Sequence, residues 1–181
     1  HEHLINNVRK SKYIFRECKY LDSFSKYKLY MSYVHSHLIY GISLWGPMST
    51  LTQKQKLSNM LGSIIKQCNM EEKEIQKIFD VDPLIQMNIL QYVYKLVNNL
   101  LPQNLSIPFE LHEENEETNL RKGKNIKVVW RNTKIFQKSV FYKGIKIWNK
   151  LDEKIQKCPS IWSFKSNLKK LFIDMDEAMT V

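Results

Sequence analysis

The stretch "YKLYMSYVHSHLIYGISLWGP", residues 27–47, decides the fold of this chain. Its apolar residues recur at steps of three or four, which places them on one face of a helix. Asp22 and Ser23, just before it, have the short polar side chains that begin helices, and Gly46-Pro47 predicts the end because proline cannot continue the hydrogen-bond ladder. The predicted apolar face consists of Tyr27, Met31, Val34, Leu38, Ile42 and Trp45.

Two other interpretations of this stretch are less favourable. His35 and His37 lie two residues apart, so on a helix they point to different faces and do not converge on one metal ion. The run 29–48 is about as long as a membrane span of some 20 residues. However, it contains two histidines and several hydroxyl groups, which are costly to bury in lipid. We therefore predict a packed core helix, with no metal ligands and no membrane contact.

The rest of the chain shows the same helical periodicity. Five glycines and five prolines in 181 residues provide few turns, which favours long helices over many short strands. Ser49 or Thr50 can cap a third helix, and Pro102 predicts the end of a helix that starts near Pro83. Asp80 and Asp82 could be a carboxylate pair for metal ions, but we interpret Asp82 as the cap of that helix.

The predicted fold is mostly α: a multi-helix bundle of about six or seven helices, either as one body or in two helical subdomains with at most a short strand or hairpin between them. We divide the chain into a helical bundle at 1–102, an acidic-to-basic loop at 103–124 and a basic C-terminal helical region at 125–181. The segment "NIKVVWRN", residues 125–132, could be the short strand. A single helical stripe is predicted from Phe136 to Ile155.

Charge and cysteine content restrict the function classes. The formal net charge is +10, which suits a polyanionic partner. Cys18, Cys68 and Cys158 are odd in number and far apart, so we expect neither a disulfide framework nor structural zinc. With no signal peptide at the start of the sequence, we expect an intracellular protein, nuclear or cytoplasmic.

The basic residues concentrate in the last third of the chain. Between residues 121 and 170 the acidic residues are Asp152 and Glu153 alone. Several of the lysines are three or four residues apart and would form a ridge on one helix, able to follow a phosphate backbone. Any exposed aromatic among them, such as Trp162, could stack on bases. The candidate nucleic-acid-binding residues are Arg121, Lys122, Lys124, Arg131, Lys143, Lys146, Lys150 and Lys154.

Six motifs follow one another in an order that is informative as a set: "HEHLINNVRKSKYIFRECKYL" (1–21), "YKLYMSYVHSHLIYGISLWG" (27–46), "QKLSNMLGSIIK" (55–66), "YKLVNNLLPQNL" (94–105), "TNLRKG" (118–123) and "FQKSVFYKGIKIWNKLDEKIQKCPSIWSFKSNLKKLF" (136–172). This series resembles the thumb and post-thumb region of reverse transcriptases of jockey-like non-LTR retrotransposons. The chain departs from the family pattern at Ile145, where a proline is usual, at Asp152, which replaces a second proline, and at Leu120, which replaces a threonine.

The resemblance implies a transposable-element RNA-directed DNA polymerase whose thumb contacts the backbone of a template–primer duplex. The family's aromatic-Ala-Asp-Asp turn, whose aspartates hold Mg²⁺, belongs to the palm and does not occur in this sequence. We therefore expect no catalytic residue and no cofactor in this chain, and no polymerisation by the chain alone. Expected partners are an RNA–DNA or DNA duplex, bound with low specificity, and the palm of a parent polymerase.

Two alternatives stay open. The chain could be a helical protein-interaction module that binds through an apolar groove, with Trp45, Met48 and Met60 as possible members. It could also be a non-functional retroelement remnant that merely folds. One continuous basic face would favour nucleic acid, whereas scattered lysines beside a large apolar patch would favour a partner protein.

Overall fold

The computed structural model describes residues 2–102, 126–127 and 132–179, with side chains described as far as residue 175. Within these ranges the chain is mostly α and multi-helical, and no extended strand forms, which confirms the predicted fold class. The chain divides into two compact units, unit 1 at residues 1–85 and unit 2 at residues 86–181. The predicted linker at 103–124 lies outside the described residues, so that domain assignment stays a prediction.

The helices of unit 1 surround the stretch quoted first. In chain order they are α1 (Glu2–Glu17), α2 (Ser23–Tyr30), a π-helical segment (Met31–His35), α3 (Ser36–Ile39), α4 (Ile42–Met48), α5 (Leu51–Cys68) and α6 (Glu72–Ile75). Helix α7 (Val81–Val97) begins in unit 1 and continues into unit 2.

The long helix predicted between Asp22 and Trp45 is broken, and Gly46-Pro47 is not its end. The chain leaves the helix at Tyr40 and turns at Gly41, whose φ of 61° lies in the left-handed region that glycine adopts at low cost. Gly46 and Pro47 both lie inside α4 and are buried. A Cβ atom at Gly46 would stand 2.8 Å from Ile85 Cγ1, so this glycine is required for close packing.

Half of the predicted apolar face is buried: Val34, Leu38 and Ile42, whereas Tyr27, Met31 and Trp45 are half-buried. Tyr30 is buried as well and stands four residues before Val34, which stands four before Leu38. An α-helix has 3.6 residues per turn, so a strict four-residue repeat would drift around it. The Ser36 N–H donates to Met31 O, an i→i+5 bond that widens the turn and keeps Tyr30, Val34 and Leu38 aligned. Ile42 lies beyond the turn at Gly41, in α4.

Helix α5 begins as the sequence predicts. Thr50 Oγ1 accepts from the Gln53 N–H at 3.2 Å, and Gln53 Oε1 accepts from the Thr50 N–H at 3.0 Å, which completes a capping box. Helix α7 departs from the prediction at both of its ends. Asp82 lies in its first turn, where it pairs with Lys54, so it is not the residue that caps the helix.

The other end of α7 lies five residues before Pro102. Asn99 adopts a φ of 54°, and the Leu100 N–H donates to Lys95 O at 2.8 Å, which is the geometry that ends a helix with a left-handed residue. The prediction that Pro102 ends this helix is therefore wrong.

Unit 2 contains the rest of α7 followed by α8 (Lys134–Lys138), α9 (Val140–Trp148), α10 (Glu153–Gln156) and α11 (Ile161–Met179). The single helical stripe predicted from Phe136 to Ile155 is thus divided among three helices. Of the possible strand at 125–132, the structure describes Ile126, Lys127 and Asn132. Ile126 forms an isolated β-bridge and is fully buried.

An aromatic cluster forms the centre of unit 2. Tyr94, Trp148 and Phe164 come from α7, α9 and α11 and are almost completely buried. Tyr94 stacks on Phe164 with ring centroids 4.3 Å apart, and Trp148 lies 5.8 Å from Phe164. The Tyr94 hydroxyl donates to Cys158 O at 2.8 Å, so the one polar group of this ring has a partner inside the core.

Candidate nucleic-acid interface

The described lysines of the predicted site lie on two helices and the turn between them. Lys143 and Lys146 are on α9, Lys150 lies in the turn after α9, and Lys154 is on α10. The prediction of a ridge on one helix face is therefore wrong, because α9 ends at Trp148. The other four predicted residues lie outside the described residues: Arg121, Lys122, Lys124 and Arg131.

Buried groups fix the turn that separates α9 from α10. Trp148 is the last residue of α9, and its carbonyl oxygen accepts from Gln156 Nε2 at 2.7 Å. Gln156 is itself buried, at the end of α10, so this bond holds the two short helices together. Asp152 begins α10 as its N-cap, with Oδ1 accepting from the Lys154 N–H at 3.0 Å.

Both carboxylates of this region are engaged locally. Asp152 is the N-cap of α10, and Glu153 forms an ion pair with Lys157 one helical turn later. Lys146, Lys150 and Lys154 are exposed, and no described carboxylate lies within ion-pair distance of their ammonium groups. The three lysines are named the α9–α10 lysines below. Their positive charge is available to a ligand.

Lys143 and Lys146 differ in their surroundings. Lys143 is half-buried, whereas Lys146 is exposed and holds its ammonium 4.3 Å from the centroid of the Tyr142 ring. A cation over an aromatic ring is attracted by the ring quadrupole, and this contact orients Lys146 without neutralising it. Lys146 is thus the better placed of the two to meet an anion.

Asn149 ties a piece of the basic segment to the end of α9. Its Oδ1 accepts from the Ile126 N–H at 3.0 Å, and its Nδ2 donates to Ile126 O at 2.8 Å. This two-way bond satisfies both backbone groups of Ile126, whose side chain is buried. Ile126 and its neighbour Lys127, which is exposed, are therefore held beside the turn that carries Lys150.

A second basic feature, in unit 1, was missed by sequence reasoning. A groove of about 640 Å³ between α1 and α5 is bordered by Arg9, Lys12 and Lys56, with no carboxylate among its lining residues. Lys12 Nζ donates to Ser63 Oγ at 2.8 Å across it. Arg9 and Lys12 are three residues apart on one helix face, a signal present in the sequence, but Lys56 joins them only through tertiary packing. The composition of this groove suits an anion.

The apolar groove of the alternative hypothesis does not form from all three of its predicted members. Met60 lines the α1–α5 groove, whereas Trp45 and Met48 do not. Trp45 is half-buried and donates from Nε1 to Tyr40 O at 3.0 Å, and Met48 is exposed. An exposed apolar strip does run along α4 and its flanks, through Tyr40, Leu44, Met48 and Leu51.

The titratable groups with the clearest pKa shifts lie in the core. Burial raises the pKa of the Cys68 thiol to about 11 and holds the pKa of Tyr30 well above its usual range. Both shifts favour the neutral form, and desolvation of this kind accompanies packing. Among the residues that the structure describes, no three His, Cys, Asp or Glu side chains converge on a point that could hold a metal ion. None of the described helices is long and apolar enough to cross a membrane.

Neither protein-family models, nor curated proteins, nor solved structures give a match to this chain. The resemblance to reverse transcriptases therefore rests on the order of the sequence motifs.

Proposed function

We propose that unit 2 binds the phosphate backbone of nucleic acid with low sequence specificity, as the thumb and post-thumb region of a retrotransposon reverse transcriptase would. The observation that carries the proposal is that no carboxylate among the described residues lies within ion-pair distance of the α9–α10 lysines. Asp152 and Glu153 are engaged locally, so neither of them neutralises these three exposed ammonium groups. Lysine binds phosphate as a point charge, and such contacts position a nucleic acid without reading its bases.

The wider basic segment supports the same proposal. The positive charge extends in the sequence through Arg121, Lys122, Lys124 and Arg131. The two hydrogen bonds between the Asn149 side chain and the Ile126 backbone hold the neighbouring Lys127 near the turn that carries Lys150. A cluster of like charges raises the local concentration of a polyanion and speeds its association. Lys143 contributes to the same local charge, although it is half-buried.

Salt dependence is the test of this proposal. We expect a fluorescently labelled RNA–DNA duplex to bind at 50 mM salt and to lose affinity steeply as salt rises. Each phosphate contact contributes about −0.9 to the slope of log K against log salt, so the three α9–α10 lysines alone would give a slope near −3. Absence of binding at low salt, or binding that is insensitive to salt, would contradict the proposal. A primer-extension assay with Mg²⁺ should show no templated synthesis.

A second candidate function is supported by the apolar strip on α4. Tyr40, just before α4, Leu44 inside it and Leu51, the first residue of α5, are 85%, 70% and 78% exposed, which is a high exposure for large apolar side chains. Such a strip suits a contact with a protein partner. Under this alternative, Leu44→Ser would abolish self-association or partner capture and would leave nucleic-acid affinity unchanged. Size-exclusion chromatography coupled to light scattering provides the first measurement.

A further inference from the structure

Trp162 on α11 is an exposed tryptophan within the basic part of unit 2. Its side chain is 77% exposed, whereas Trp148 in the same unit is completely buried. The core face of α11 is formed by Phe164, Leu168 and Phe172. At 100° per residue, Trp162 lies about 160° from Phe164 and about 120° from Leu168 around the helix axis, so it points away from most of that core face.

The side chains that share the outer face of α11 are mainly basic. Lys165 and Lys169 follow Trp162 at three and seven residues, which places all three on one face. Lys165 Nζ lies 5.3 Å from the centroid of the Trp162 ring, and Lys169 lies about 10 Å further along the helix axis than Trp162. As far as residue 175, where the described side chains end, the face also carries Ser166 and Ile173 and no carboxylate.

We infer that Trp162 stacks on an unpaired base of single-stranded nucleic acid, whose flanking phosphates contact Lys165 and Lys169. The inference rests on the proposed function and adds to it the kind of strand that is bound. An indole ring offers a broad face to a base, and stacking of this kind tolerates any sequence. A base inside a duplex already has both faces covered by its neighbours, so an open ring selects single strands.

Two features favour a nucleic acid over a protein as the occupant of this surface. Lysine is depleted at protein–protein interfaces, whereas it accompanies exposed aromatics where single strands bind. The positive charge of Lys165 and Lys169 also matches a polyanion. Trp162 is more exposed than Phe141 and Tyr142, which are both half-buried, and Phe141 packs edge-on to Tyr92 with centroids 6.0 Å apart.

The test compares two ligands of equal length, a labelled single strand of ten uridines and a ten-base-pair RNA–DNA duplex, by fluorescence anisotropy. We expect Trp162→Ala to weaken binding of the single strand by between about fivefold and a hundredfold, the range measured for loss of one stacked base. Duplex affinity should change less than twofold. Trp162→Phe should restore most of the single-strand affinity, whereas Trp162→Leu, which is apolar but cannot stack, should not.

The salt slope separates stacking from a loss of phosphate contacts. For the single strand, Trp162→Ala should leave the slope of log K against log salt unchanged. Lys165→Gln with Lys169→Gln should make that slope shallower by about 1.4, because each phosphate contact with a single strand contributes about 0.7. Three results would overturn the inference and leave the proposed function standing. Trp162→Ala could weaken binding of the strand and the duplex equally, or it could leave the strand affinity unchanged. The third result is a wild-type protein that binds the duplex but not the strand. A wild-type protein that binds neither ligand would overturn both. A further measurement uses vesicles of anionic lipid. If Trp162→Ala weakens binding to the vesicles but leaves the affinity for the single strand unchanged, the inference is also overturned.

Discussion

Units 1 and 2 carry similar net charges, but their carboxylates are placed differently. Unit 1 has 12 basic and 8 acidic residues, a net of +4 (12 − 8), and unit 2 has 16 and 10, a net of +6 (16 − 10). In unit 1 three of the acids pair with lysines, as Lys54–Asp82, Lys73–Glu71 and Lys77–Glu74. In unit 2 five of the ten acids fall between residues 110 and 117, away from the lysines in sequence. Net charge alone therefore does not locate a binding surface, whereas the pairing of individual charges does.

Both units pack a glycine closely against helix α7. Each places a glycine against a side chain of α7, Gly46 against Ile85 in unit 1 and Gly144 against Ile89 and Val93 in unit 2. The large aromatic cluster, by contrast, belongs to unit 2.

The largest expected effect is on the stability of unit 2. Trp148→Ala removes a completely buried ring that contacts Phe164 and Tyr94, so we expect the free energy of unfolding to fall by about 3–5 kcal/mol. Urea-induced unfolding followed by circular dichroism measures it. Trp162→Ala is the matched control and should change the free energy by less than about 0.5 kcal/mol. Similar losses in the two variants would contradict the assigned roles.

A smaller effect is expected at two helical glycines. A Cβ atom at Gly144 would lie 2.9 Å from both Ile89 Cγ2 and Val93 Cγ2, so Gly144→Ala should destabilise by about 1–3 kcal/mol through overpacking. Gly62 lies inside α5 with no atom within 4 Å of such a Cβ. Gly62→Ala should therefore stabilise by about 0.5–1 kcal/mol, because alanine is the better helix former. Thermal unfolding of both variants tests the pair, and shifts of the same sign would count against this account.

The smallest effect concerns pH and the Cys68 thiol of unit 1. Burial raises the pKa of this thiol from 9.0 to about 11, so the folded chain holds the proton more tightly than the unfolded chain. Its contribution to stability is complete below pH 9 and is lost as the pH rises through 11. Cys68→Ala lacks this titration. The stability difference between wild type and variant should therefore decrease between pH 9 and pH 11, and a difference that is constant with pH would refute the assignment.

The sequence predicts the helical class and most of the core faces, because three- and four-residue periodicity follows directly from helix geometry. Leu57, Leu61 and Ile64 recur at steps of four and three on α5, and all three are buried. Where helices end is less predictable. Prolines predict helix ends at Pro47 and Pro102. In the structure, α5 and α7 end beside Asn69 and Asn99, which adopt positive φ. Asparagine is an infrequent choice at such positions compared with glycine, so its signal in a sequence is weak.

The candidate site was predictable in composition but not in geometry. Periodicity placed Lys146, Lys150 and Lys154 on one helix, but burial of Trp148 and its bond to Gln156 end that helix and start another. The unpaired state of the lysines also depends on local geometry. Glu153 pairs with Lys157, although its separation in sequence from Lys150 would equally allow a pair there. Spacing alone does not decide between two such partners.

The central claim is that the α9–α10 lysines, and not net charge in general, bind the nucleic-acid backbone. The most direct test compares two triple variants that lose the same charge. One changes Lys146, Lys150 and Lys154 to glutamine, and the other changes the exposed unit 1 lysines Lys10, Lys19 and Lys66. For the first variant we expect the slope of log K against log salt to become shallower by about 2.7, together with at least a tenfold loss of duplex affinity at 50 mM salt. For the second we expect a loss below threefold. Equal losses in the two variants would contradict the claim.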